Sequence, residues 1–368
     1  MPPRVVLFGA TGYTGRLTAR ELADAGSHAV LAGRDRRRLD ALAGELGAGF
    51  EVSVADSARP ASVRDLVGEG DVLVTTVGPF LVHGQAAVEA AVAARAHYLD
   101  ATGEPPFVRR VFDELGPRAE GRCALVPAFG YDFVPGNLAG ALALRDAGEE
   151  ATAVAVGYFA SGGGGFSTGT LASGAGMLLE QSFAWRGGRL VRDRVASRVR
   201  AFPVRGRAWL GVSYGGSEHY ALPRFAPGLR DVDVYLGWFG RRSRAVQAAS
   251  AVGAPLAHVP GARAIGRAAA AALARRTGGG PEEPARQASR SYVIAVASGA
   301  DGRELAQVRL RGPNVYTLTA GLLAWGARQA AAGGLAGTGA LGPVEAFGLE
   351  ALRDAADGVG LQRIEADD

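Results

Sequence analysis

The stretch Val5-Val6-Leu7-Phe8-Gly9-Ala10-Thr11-Gly12-Tyr13-Thr14-Gly15 decides the fold. Its four apolar residues read as a buried strand, and the glycines spaced three apart read as a turn into a helix. Leu17, Ala19, Leu22 and Ala23 continue that helix, which stops at Ala25-Gly26. In a strand–turn–helix context Gly9 permits the tight turn, Gly12 lets the backbone approach a ligand, and Gly15 lets helix and strand pack closely. The helix N-terminus then offers free N–H groups and partial positive charge to an anion. This combination suits the pyrophosphate of a dinucleotide, and it assigns Gly9, Thr11, Gly12, Tyr13, Thr14 and Gly15 to cofactor binding.

The same alternation runs outward from this turn. Segments 28–32, 50–55, 71–77, 97–100 and 124–127 read as strands, and 36–46, 63–67, 85–95 and 106–115 as helices. Strands alternating with helices at this spacing predict an α/β fold, a Rossmann-type doubly wound parallel sheet over residues 1–130. Beyond residue 130 the pattern changes to strands at 152–159, 231–236, 292–297 and 304–310, which predicts an α+β domain over 131–313. Within it, Ser243–Arg276 is rich in Ala and Arg and broken by Gly253, Pro255 and Pro260. The expectation is a helical, partly mobile segment over 243–284, with Val246, Ala249, Val252 and Leu256 as its apolar face. Tyr316–Ala331 reads as a further helix.

The end of the second strand selects the dinucleotide. NAD-binding folds place Asp or Glu there to hold the ribose hydroxyls; this chain has Gly33-Arg34, followed by Arg36, Arg37 and Arg38. A guanidinium binds a 2′-phosphate bidentately where a carboxylate would repel it, so the reading is NADPH/NADP+ with Arg34 as the ligand. Arg36–Arg38 fit the ligand role and the solvated face of a helix equally well. Asp56, closing the third strand, falls at the adenine rim or caps a helix. Val77, Gly78 and Pro79 follow the fourth strand near the switch point of the sheet, where Gly78-Pro79 would form a rigid turn beneath the nicotinamide.

Composition removes several chemistries. All 40 basic residues are arginine, which excludes Schiff-base catalysis, a Walker-type phosphate lysine and a lysine general acid. The net charge of +4 is spread along the chain without a basic, aromatic-interleaved module, so nucleic acid is not expected as a partner. Apolar residues at 48% and charged residues at 21% fit a globular chain, and no apolar run nears the ~18 residues of a membrane span. The start Met1-Pro2-Pro3-Arg4 runs straight into the first strand, and the single Cys123 has no disulfide partner; both lead to the expectation of a cytoplasmic protein. His28, His97, His219 and His258 show no ligand spacing, so no metal is expected.

Further landmarks are Val-Gly-Pro-Phe at 77–80, Tyr-x-Asp-x-Thr-Gly-Glu at 98–104 and Gly-Tyr-Asp-x-x-Pro-Gly-Asn-Leu at 130–138. With Gly-Ala-Thr-Gly-Tyr-Thr-Gly at 9–15, they resemble the saccharopine dehydrogenase-like reductases, in particular the short bacterial branch that includes the trans-acting enoyl reductases. Phe166–Thr170 resembles the family's Ser-Gly-Gly-Thr turn with one position altered. The resemblance implies a dinucleotide domain, an inserted substrate domain, and a C-terminal segment, here 314–368, that packs back on the first domain. It implies reduction of a C=N or C=C bond. True saccharopine reductases are usually given a lysine general acid, which is absent here, so amino-acid condensation chemistry is disfavoured.

The expected function is therefore an NADPH-dependent reductase of a C=C bond in an apolar, acyl-derived substrate, small or carrier-bound. The alternatives are an imine or carbonyl reductase and a non-catalytic NADP-binding redox sensor. Hydride delivery to an enoyl β-carbon leaves an enolate that needs a proton donor. Tyr131 and Asp132, past the sixth strand, and His83, after the Gly78-Pro79 turn, are the candidates. Each has a plain alternative: Tyr131 stacks on nicotinamide, Asp132 caps a helix, His83 lies in a surface loop. The arginines at 241, 242 and 244 would meet a carrier protein or an anionic head group. A homodimer and peripheral membrane contact stay open.

Overall fold

The computed structural model of the chain describes residues 3–47, 49–162, 167, 180–256 and 279–365. Contacts divide it into two compact units, one made of Met1–Gly103, Phe107–Asp132 and Tyr316–Ala355, the other of Glu104–Pro106, Phe133–Val315 and Ala356–Asp368.

In the first unit β1 (Val5–Phe8) is wholly buried and feeds α1 (Tyr13–Asp24), followed by β2 (Ala29–Gly33), α2 (Arg36–Leu46), β3 (Glu51–Val54), α3 (Pro60–Arg64), β4 (Val72–Thr75) and α4 (Phe80–Ala94). β5 (His97–Asp100) leads through α5 (Pro105–Arg110), a π turn over Val111–Leu115 and α6 (Gly116–Ala119) to β6 (Ala124–Val126). β1 pairs in parallel with both β2 and β4, Val5 opposite Ala29 on one side and Val72 on the other, so strand order reverses there. The ladder continues past the strand ends: Gly9 N–H donates to Ala32 O, Thr76 N–H to Phe8 O and Ala55 N–H to Gly33 O. Those bonds bring the loops that carry Gly9, Arg34, Asp56 and Thr76 to one carboxyl edge, where ligands bind in such sheets.

The second unit starts with α7 (Val134–Ala147), packed on a mixed sheet of β7 (Ala153–Ser161), β8 (Gln181–Arg186), β9 (Arg189–Arg194), β10 (Val199–Val204), β11 (Arg207–Ser213), β12 (Asp231–Leu236), β13 (Arg290–Ser298) and β14 (Glu304–Gly312). β12 and β7 are parallel, and the other pairings are antiparallel. Phe159, Phe202, Tyr235, Tyr292 and Ile294 form the core over one face. The helix Ser243–Leu256 departs from the expected apolar docking. Ser243, Gln247 and Ser250 donate to the carbonyls of Leu210, Ser197 and Val195, while Ala249 and Val252 face solvent, Val252 at 74% exposure. Backbone carbonyls of β11 and of the loop after β9 demand donors, so the polar stripe rather than the apolar one turns inward. Residues 257–278 of the segment expected to be mobile lie outside the described residues; at its end, Glu283–Ala288 forms a short helix.

The chain returns to the first unit through the helix Val315–Ala331. β15 (Gly339–Ala340) then adds a seventh parallel strand beside β6, giving the order β15-β6-β5-β4-β1-β2-β3. Trp325 and Phe347 pack on Phe129, ring centroids 6.3 and 5.2 Å away, and Gly326 allows the approach, since a Cβ there would lie 2.5 Å from the Phe129 ring. The final residues behave otherwise. From Ala356 they belong to the second unit, where β16 (Gln362–Arg363) pairs with β14 and Arg363 bonds Asp146 at 2.9 Å. The expectation that all of 314–368 packs on the nucleotide unit is corrected accordingly: the open edge of β14 captures the tail. The α/β fold class, Rossmann-type with a second α+β lobe, is borne out.

Candidate active site

The glycine loop has no room for side chains. Gly9 has φ +93°, and a Cβ on it would lie 2.8 Å from Thr76 Oγ1 and from a Val77 methyl. A Cβ on Gly15 would stand 2.2 Å from the Gly9 carbonyl oxygen. Gly12 caps α1 without a side-chain hydrogen bond, and the first turn of the helix carries no acidic residue. This backbone fits the pyrophosphate of a dinucleotide. Thr76 Oγ1 donates to Gly9 O at 3.2 Å and Thr75 Oγ1 accepts from Val77 N–H at 3.3 Å, which ties Val77 and the half-buried Gly78-Pro79 turn to the loop. Tyr13 meets Tyr316 edge-on at 5.0 Å. Thr14 O accepts from Thr18 Oγ1 at 3.0 Å.

At the end of β2 the arginines separate. Arg36 pairs with Asp40 at 2.9 Å, and Arg38 reaches Thr11 O at 3.4 Å while its N–H is capped by Asp35. Arg34 is exposed and makes no hydrogen bond or ion pair among the described residues. Asp56 Oδ1 accepts from Ala58 N–H at 3.0 Å, an Asx turn that fixes the loop after β3. Ser57 Oγ lies 3.0 Å from His83 Nδ1. Burial lowers the His83 pKa, Arg34 lowers it further, and Asp56 opposes them. The structure therefore groups His83 with Arg34, Asp56 and Ser57 at the β2/β3 end of the edge.

Asp132 stands elsewhere on the unit. Asp100, ending β5, accepts from Thr102 and Ala128 N–H through Oδ1, both at 2.8 Å, and from Phe129 N–H through its carbonyl at 2.7 Å, joining the loops after β5 and β6. Tyr131 is buried at 4% exposure, and its N–H donates to Thr319 Oγ1 at 2.9 Å. Asp132 lies against Gly103, where a Cβ would fall 2.8 Å from Oδ2. Its Oδ1 is buried with no hydrogen-bond partner among the described residues, and burial pushes the carboxyl pKa up to about 7. Near neutrality this group holds a proton it can give away. Cys123, by contrast, is buried with its thiol pushed up to about 11, which makes it inert.

Two groups of residues went unread in the sequence. Ser57 is one. The other is a buried cluster in the second unit: the Tyr158 hydroxyl donates to Glu218, and Asn137 Nδ2 donates to Ser217 Oγ at 2.9 Å and to Phe133 O at 2.8 Å. Gly136 and Gly216 admit Glu218, because a Cβ on either would collide with its carboxylate. The glycine pair before Ser217-Glu218 was the available signal. Of Phe166–Thr170 only Ser167 is among the described residues.

Together the cradle, the free strand-end arginine and the reversed strand order define a dinucleotide-binding Rossmann domain. Residues 5–123 match the family model described as the saccharopine dehydrogenase NADP binding domain. Residues 5–123 thus resemble an NADP-binding domain of that type, and the family resemblance and the NADPH/NADP+ reading are borne out. A trans-acting enoyl reductase of Mycobacterium ulcerans is 36% identical over 154 residues, covering 40% of this chain and 37% of its own length. A trans-acting enoyl reductase of Mycobacterium tuberculosis is 37% identical over 140 residues, covering 36% and 34%. A further relative from that organism is 39% identical over 179 residues, covering 46% and 42%. The matches thus span less than half the length of these relatives. Saccharopine dehydrogenase (L-Glu forming) of Saccharomyces cerevisiae shares the fold over 98% of this chain and 99% of its own, with TM-score 0.58 at 13% identity. Among the described residues no helix is long and apolar enough to cross a membrane.

Proposed function

We propose that the chain is an NADPH-dependent reductase that saturates the C=C bond of an apolar, acyl-derived substrate, with Asp132 as proton donor. The buried Asp132 carboxyl, packed against Gly103 with Oδ1 unpartnered among the described residues and its pKa raised by burial, carries this reading; the trans-acting enoyl reductase relatives support the substrate class. When bound, NADPH supplies the hydride that reduces the β-carbon of an enoyl group. The loop 9–15 would hold the pyrophosphate through backbone N–H groups, Arg34 would take the 2′-phosphate, and Val77–Pro79 would flank the nicotinamide. The electron pair displaced from the double bond moves to the substrate carbonyl oxygen, giving an enolate. Asp132 transfers its proton to the α-carbon, becomes a carboxylate, and regains a proton from solvent. Tyr131, buried and fixed through Thr319, holds the loop that aims Asp132.

NADPH oxidation at pH 6.5 with enoyl thioesters, free and carrier-bound, and with cyclic imines tests the assignment. Turnover confined to the enoyl thioesters is expected. Turnover of imines alone would replace it with the C=N reading, and NADPH binding without any turnover would favour a sensor.

A further inference from the structure

We propose that His83 is a specificity-determining residue for the cofactor rather than a proton donor to substrate: its imidazolium, beside Arg34, contacts the 2′-phosphate of bound NADPH. The assignment rests on the NADP site read above.

His83 stands in the first turn of α4, and Ser57, in the loop after β3, fixes the ring through Nδ1 at 3.0 Å. That bond leaves Nε2 as the other polar atom of a half-buried ring, with no hydrogen bond among the described residues. Gly33 pairs with Val54 across β2 and β3, so Arg34 and the Asp56-Ser57 turn emerge from adjacent strand ends. Arg34 likewise makes no hydrogen bond or ion pair among the described residues. Two nitrogen-bearing groups without an ion pair among the described residues, with Asp56 the one carboxylate acting on His83, stand at the strand end where the 2′-phosphate is held in such folds and make a site for a dianion. Among the described residues the charges acting on His83 are Arg34 and Asp56; Arg59 and Arg64 of the adjoining α3 turn do not act on it.

In the free protein, burial and Arg34 lower the His83 pKa from the usual histidine value of 6.5 against the opposing pull of Asp56, and so favour the neutral ring. A dianionic phosphate at the same place favours the charged ring, so NADPH binding should take up a proton and NADH binding should not. A shift of one pKa unit is a tenfold change in affinity once fully expressed. The test is a titration of NADPH and NADH at pH 6.5 and 8.5, a range above the second ionisation of a phosphate monoester near ~6, in the unaltered protein and in His83→Gln. Glutamine keeps a polar contact to Ser57 and loses the charge. In the unaltered protein NADPH affinity should fall about three- to tenfold from pH 6.5 to 8.5 with NADH flat. In His83→Gln the NADPH slope should vanish while the preference for NADPH persists through Arg34. A slope that survives in His83→Gln overturns the assignment and leaves the NADP site standing. Equal affinity for NADPH and NADH in the unaltered protein at both pH values removes the 2′-phosphate site, and the assignment with it.

Discussion

Replacing Asp132 by Asn separates the proton-donor reading from a structural one, because burial that raises a carboxyl pKa also costs stability once the group ionises. The carboxyl rises from 3.8 to about 7 on folding. The native state therefore binds more protons than the unfolded chain between those values, and stability falls as pH rises through that window. At ~1.4 kcal/mol per unit the whole shift has an upper bound of about 4 kcal/mol. Between pH 5 and pH 8 about two units are crossed, or roughly 3 kcal/mol at most. The residue keeps some contact with solvent, which screens the charge and brings the expected value to about 1–2 kcal/mol. Urea denaturation of both proteins at pH 5 and pH 8 measures this, and the other carboxylates cancel in the comparison. Asp132→Asn should gain on the unaltered protein by about that amount at pH 8 relative to pH 5. Its turnover should fall about 10²–10⁴-fold with NADPH affinity retained, and turnover by the unaltered protein should decline above pH 7. A stability difference independent of pH would show that Asp132 ionises normally and would refute the donor assignment.

Arg34→Ala should weaken NADPH about 10- to 100-fold and leave NADH unchanged, measured by fluorescence titration, since a charge-assisted bond to phosphate is worth ~1.5–3 kcal/mol. Gly103→Ala places a methyl 2.8 Å from Asp132 Oδ2 and must displace the carboxyl. Turnover should drop at least tenfold while the NADPH Kd stays within about twofold, separable by steady-state kinetics and titration. Asp71 accepts from Arg4 N–H at 2.9 Å, from the Arg4 guanidinium at 2.7 Å and from Gly68 N–H at 2.9 Å. Burial pushes its carboxyl up, but the bonds from Arg4 and Gly68 outweigh burial and hold the pKa below its ordinary value. That stability is present above the unfolded pKa of 3.8 and lost as pH falls through the lower folded value. Asp71→Asn should therefore cost about 1–3 kcal/mol at pH 7 and progressively less toward pH 3, by chemical denaturation.

The parallel sheet was legible because its strands are buried on both faces and read as apolar runs: β1, β2 and β4 have no exposed residue. The strands from 181 to 213 escaped the same reading. β9 carries Arg189, Arg192 and Arg194 and has no fully buried position, so its apolar signal is faint. The turns were the better guide. Gly187-Gly188 and Arg205-Gly206 all have positive φ, the geometry of two-residue hairpins, and both pairs stand in the sequence between short β-prone runs. The tail was misassigned for a different reason: two residues pairing with an open edge leave no periodicity to read.

The proposed donor site depends on topology more than on residue type. β5 and β6 are parallel neighbours, with Tyr98 opposite Leu125 and Leu99 opposite Val126, so the loops after them leave the same edge side by side. Once that order is known, Gly103, four residues past Leu99, and Asp132, six past Val126, become contact partners. The glycine then explains itself as the space the carboxyl occupies rather than as a turn. Sequence could nominate Asp132 by type, but the raised pKa arises from desolvation, which is set by what surrounds the group and not by its neighbours in the chain. His83 shows the converse. It was grouped with the donors because it follows the Gly78-Pro79 turn, yet one helical turn at the start of α4 suffices to bring it to Ser57 and the strand ends of β2 and β3. Adjacency in the chain fixes which edge a side chain reaches; adjacency of strands fixes which loops it meets there.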